Sequence, residues 1–120
     1  MNKDENRRDQ YRYARHDKLF VQVIASNKKH DVRDATVFCH SCDASIKGLK
    51  LELEMQLAIN SVVDLWMEFE GLDRKFYLRG HVCWCDKKDE SNLYQTGIKL
   101  EDVPATDYVL WVKLLESFAD

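Results

Sequence analysis

Apolar residues recur at every second position in one short segment after another, and this period of two most restricts the fold. In "LKLELEM", Leu49, Leu51, Leu53 and Met55 fall on one side, with Lys50, Glu52 and Glu54 on the other. That is the pattern of a strand with one face on a core and one in water. "KLFVQVIAS" places Leu19, Val21, Val23 and Ala25 on one face, and "VVDLWMEFE" does the same with Val63, Leu65, Met67 and Phe69. "ATVFCHSC" is rich in β-branched and aromatic residues; "FYLRGHVCWC" and "LYQTGIKLE" read as two more strands around the polar loop "DKKDESN". Six short strands with frequent turns predict a closed antiparallel barrel or a sandwich.

The period then changes. In "ATDYVLWVKLLESF", Tyr108, Trp111, Val112, Leu115 and Phe118 recur at helical spacing, which predicts an amphipathic helix over about 105–118. Pro104 with Thr106 or Asp107 supplies its start signal. The aromatic stripe is expected to pack on the barrel, the alternative being a partner-binding face. Residues 1–16 are polar, basic and aperiodic, and predict a flexible N-terminal arm. Residues 17–120 then form one domain, which suits a chain of 120 residues.

Charge narrows the partners. The net charge of −3 argues against a nucleic-acid polymer held by phosphate neutralisation. Yet Arg7, Arg8, Arg12 and Arg15 fall within nine residues, a cluster that suits a small anion. The strand aromatics Phe20, Phe38, Trp66, Phe76 and Trp84 lie mostly within apolar runs, unlike the exposed platforms of a single-strand-binding barrel. No apolar run approaches the roughly 18 residues of a membrane span, and "MNKDENRRDQ" carries no apolar signal core. The expectation is a cytoplasmic protein with no membrane partner.

Cys39, Cys42, Cys83 and Cys85 form a C-x-x-C and a C-x-C. Plain alternation puts Cys83 and Cys85 on one face but Cys39 and Cys42 on opposite faces, a poor frame for tetrahedral zinc. Reduced thiols in the core, with no metal, are expected. No G-x-S-x-G, H-E-x-x-H or Walker sequence is present, and the four His lie apart. Neither catalysis nor a cofactor is expected.

Binding has better support. Arg8 and Arg12, in "RDQYR", can bridge phosphate oxygens or meet a guanine edge. In "DASIKG", Asp43 can accept from guanine N1–H and N2–H, Ser45 can donate or accept, and Gly48 permits close backbone approach. Arm and turn together hold the groups needed for an anionic guanine nucleotide.

With these two motifs the chain resembles a PilZ domain, the bacterial receptor module for cyclic di-GMP. That family carries R-x-x-x-R in an N-terminal arm and [D/N]-x-S-x-x-G in a turn between early strands. "GHVCWC" and "YQTGIKLED" resemble its later strands, so the likeness spans about residues 7–118. It implies a six-stranded antiparallel barrel of the split-barrel type with a C-terminal helix. It also implies a cyclic di-GMP site containing Arg8, Arg12, Asp43, Ser45 and Gly48, with Arg7 as an auxiliary phosphate contact. Arg15 is a candidate third arginine; a frame using it would put Tyr11 at the first motif position, so Arg8 and Arg12 are preferred. Trp84 matches an aromatic position near the ligand, with core packing as its alternative role. The implied function is an effector that changes conformation on binding and signals to a partner protein in motility or biofilm regulation. The alternative is an adaptor that has lost the nucleotide and works through protein contacts.

Overall fold

Each period-two segment forms a strand in the computed structural model, which describes residues 13–14, 18–25, 36–68 and 71–119, with side chains over 18–24, 43–68 and 71–118. In chain order the elements are β1 (Tyr13–Ala14), β2 (Lys18–Ala25), β3 (Thr36–Ala44), β4 (Gly48–Leu53), β5 (Val62–Glu68), β6 (Lys75–Lys87), β7 (Tyr94–Leu100) and helix α1 (Tyr108–Ala119). The strands pair in the order β1-β3-β2-β5-β6-β7-β4, and β4 also pairs with β3. The six longer strands therefore form a ring of antiparallel neighbours, a β-barrel, which leaves no long edge unpaired. β1 lies within the segment 1–16. It takes the edge of β3 that β2 leaves free: β2 pairs as far as His40, and β1 continues with Ala14↔Asp43 and Tyr13↔Ala44.

The alternating apolar residues point into the ring. Leu19, Val21, Val23, Leu49, Leu51, Leu53, Val63, Leu65, Met67, Leu78 and Val82 are buried there. Phe69 lies outside the described residues, as does the side chain of Ala25. On the outer face, Arg79 Nε donates to Asp64 Oδ1 at 2.8 Å and the Tyr77 hydroxyl donates to the same oxygen at 3.1 Å, fastening β5 to β6. Burial, then the Asp64 carboxylate, pushes the Tyr77 phenol above its ordinary pKa.

Helix α1 caps one end of the barrel. Trp111 is 0% exposed, meets Phe76 edge-on at 6.0 Å between ring centroids, and donates its indole N–H to the Ser45 carbonyl at 3.1 Å. Leu115 is buried beside it. The helix starts at Tyr108 rather than 105, because Ala105 has a φ of 67°, outside the helical region. Asp107 is instead stitched to β6: its N–H donates to the Tyr77 carbonyl at 2.7 Å and its carboxylate accepts the Tyr77 N–H at 2.8 Å. Phe118 was expected on the packed face but stays 44% exposed in the last helical turn. Among the described residues, no helix is long and apolar enough to cross a membrane.

Cys83 also departs from expectation. The β6–β7 register shifts between Val82 and Trp84, so Cys83 is an extra residue in a bulge and is exposed. Beyond the bulge the alternation changes phase: Cys85 packs against the core, and its sulfur accepts from the Thr96 hydroxyl at 3.2 Å. The two thiols do not share a face. The side chains of Cys39 and Cys42 lie outside the described set.

Candidate ligand-binding site

One row of cross-strand partners crosses the outer face of the barrel. Trp84 on β6 faces Gly97 on β7, Gly97 faces Lys50 on β4, Lys50 faces Asp43 on β3, and Asp43 faces Ala14 on β1. The row lies outside because Lys50 alternates with the buried Leu49 and Leu51. Register shifts sit beside both ends of it, between Ser41 and Asp43 and between Val82 and Trp84. Such bulges re-aim the side chains next to them. The row borders a concavity of about 420 Å³, whose lining includes Asp43, Gly48, Lys50, Trp84, Gly97 and Lys99.

Trp84 is 38% exposed, so it is not a core residue. Its indole lies across Gly97; a Cβ at position 97 would clash with the Trp84 Nε1, Cε2 and Cδ1 atoms. Glycine is therefore required there for close approach, and the indole rests on the strand with the rest of its surface toward the concavity. Lys47, Lys50 and Lys99 stand around the same hollow. Their three positive charges exceed the single negative charge of Asp43, so the hollow favours an anion.

The "DASIKG" motif divides between two roles. Asp43 belongs to the end of β3, and only Ser45, Ile46 and Lys47 make the turn before β4. Ser45 is 3% exposed: its N–H donates to the Gly48 carbonyl at 2.8 Å, while its hydroxyl accepts the Gly48 N–H at 3.1 Å. The serine-to-glycine spacing thus closes a tight turn, with Trp111 holding the Ser45 carbonyl from within. Asp43, Gly48 and Trp84 come together at the concavity, and Ser45 supports them from below. Arg7, Arg8, Arg12 and Arg15 lie outside the described residues. Tyr13, which follows Arg12 directly, pairs with Ala44, so the chain joins the barrel beside Asp43.

Sequence reasoning missed Lys50, Lys99 and Gly97. The lysines occupy outward positions of period-two strands, where alternation alone gives them no neighbour across the sheet. Gly97, a lone glycine inside a strand, also marked a close approach.

The sequence pattern of the PilZ domain matches residues 6–117. The chain belongs to the PilZ domain family. Its fold is similar to that of the solved Bacillus subtilis inhibitor of motility, MotI/DgrA, with a TM-score of 0.67 at 11% sequence identity. That match covers 89% of this PilZ chain and 48% of the other, so the chain spans about half the length of that neighbour. A comparison with curated proteins found no match. The matched range takes in the arginine motif, the "DASIKG" segment and nearly all of α1, so the family pattern extends over both parts of the candidate site.

Proposed function

We propose that this PilZ domain is a cyclic di-GMP-binding effector, acting in the cytoplasm, whose arginine arm closes over a nucleotide seated on the outer wall of the barrel. The observation that carries the reading is the β1–β3 pairing. It sets the chain one residue after Arg12 against Ala44, at the edge of a hollow walled by Asp43 and Trp84. Arg8 and Arg12 then clamp phosphate and a guanine edge, with Arg7 and Arg15 as further cationic contacts. Asp43 accepts from the guanine N1–H and N2–H, and the indole of Trp84 stacks on a base. Ser45 and Gly48 keep the turn in the shape that presents Asp43.

Four arginines within nine residues repel one another, and a dianionic ligand favours their convergence. Convergence changes the surface around the hollow, and a partner protein reads that change. Likeness to an inhibitor of motility supports motility-type regulation as the output. Titration calorimetry with cyclic di-GMP tests the site. Wild type binds; Arg12→Ala and Asp43→Ala each lose about 10- to 100-fold in affinity, the weight of a hydrogen bond to a charged group. Unchanged affinity in both variants sinks the assignment.

An adaptor that works without nucleotide is the second reading. It draws on the exposed Val109 and Leu110 of α1, which give the helix an apolar outer side. Wild type that ignores cyclic di-GMP would favour it.

A further inference from the structure

We infer that the barrel wall carries its own anion-anchoring pair, Lys50 and Lys99, which engages the phosphate of a nucleotide independently of the arginine arm. The inference rests on the proposed nucleotide site and adds to it a component outside both family motifs.

The register makes the pair. Lys50 faces Gly97 and Lys99 faces Gly48 across the β4–β7 ladder. The two lysines are therefore diagonal neighbours on one face, about 7–8 Å apart. The other two corners of this quadrilateral are glycines. Gly97 is roofed by the Trp84 indole, and Gly48 contributes no side chain. Two ammonium groups thus flank an aromatic face, with no further side chain at the corners to separate them. An aromatic base joined to a phosphate has the matching shape and charge.

The carboxylates two residues from the lysines are already engaged. Glu52, two residues from Lys50, accepts from Lys88 Nζ at 3.0 Å. Glu101, two residues from Lys99, lies 2.8 Å from His81 Nδ1. Asp64 and Asp107 are paired with Arg79 and Arg74. Asp43 faces Lys50 across the β3–β4 ladder. Among the described residues, neither Lys50 nor Lys99 has an ion-pair partner, whereas Arg74, Arg79 and Lys88 do. Both line the concavity. A like-charged, uncompensated pair beside an aromatic surface raises the local concentration of anions and speeds their arrival.

The experiment titrates the full chain with cyclic di-GMP and, separately, with inorganic pyrophosphate, following both lysines by NMR and affinity by calorimetry. Lys50→Gln with Lys99→Gln lowers cyclic di-GMP affinity about tenfold or more at low salt, and the loss shrinks as salt screens the pair. The arm variant Arg8→Ala with Arg12→Ala keeps weaker binding, and adding the two Gln substitutions removes a further factor of similar size. Lys50→Arg with Lys99→Arg restores affinity, which a merely structural role would not require. Both positions face outward, so melting temperatures stay close to wild type. Wild-type affinity in the Gln variant at every salt concentration overturns the pair and leaves the nucleotide reading intact. Conversely, indifference to cyclic di-GMP with pyrophosphate shifts confined to Lys50 and Lys99 keeps the pair and removes the nucleotide reading.

Discussion

Trp111 and Trp84 sit on either side of the β3–β4 turn, and the difference between them separates what holds the barrel together from what its outer wall presents. Trp111 is fully buried, with its indole N–H on the Ser45 carbonyl. Trp84 is 38% exposed, lies across Gly97 and shares a hollow with Asp43 and Gly48. One anchors the turn from inside; the other gives the outside an aromatic surface. A short sequence serves both sides, because Ala44, Ser45 and Ile46 are buried while Asp43 and Lys47 reach the hollow.

The comparison breaks most visibly through stability. Trp111→Ala removes a fully buried indole and is expected to lower unfolding free energy by about 3–5 kcal/mol, measured by chemical denaturation. Trp84→Ala should change stability by about 1 kcal/mol or less, while weakening cyclic di-GMP binding by about 1–3 kcal/mol in a titration. Equal losses of stability in the two variants would erase the distinction. Gly97→Ala sharpens it from the floor: the new methyl displaces the indole, so affinity falls as in Trp84→Ala with both tryptophans present. An unaltered titration there would remove the indole from the site. Ser45→Ala is the smallest change, about 0.5–1.5 kcal/mol of stability for a lost hydrogen bond, read as a small drop in melting temperature. If it costs affinity without costing stability, Ser45 touches ligand rather than closing the turn.

The barrel is legible in the chain because one-sided burial enforces a period of two, and "LKLELEM" cannot slip by one residue without turning Leu49, Leu51 and Leu53 outward. The helix was legible from Trp111 and Leu115, but its start was not, since the bend at Ala105 and the stitching of Asp107 to Tyr77 are set by β6. Burial of the aromatics was only partly legible. Phe20 and Trp84 lie in apolar runs yet are exposed, because alternation and a bulge decide direction and run composition does not. Asp43 and Gly48 were legible as candidates from motif chemistry, and both line the hollow. Lys50 and Lys99 were not, since only strand register reveals that they are diagonal neighbours beside two glycines.

The short β1 pairing has a kinetic consequence. With Tyr13 paired to Ala44, a residue five positions before it can lie at most about 18 Å from the sheet by chain contour alone. A ligand seated on the barrel wall would meet the preceding chain intramolecularly, at an effective concentration on the order of millimolar. Wall and preceding chain would then act as the two arms of one bivalent binder, with the two-residue strand as the joint between them.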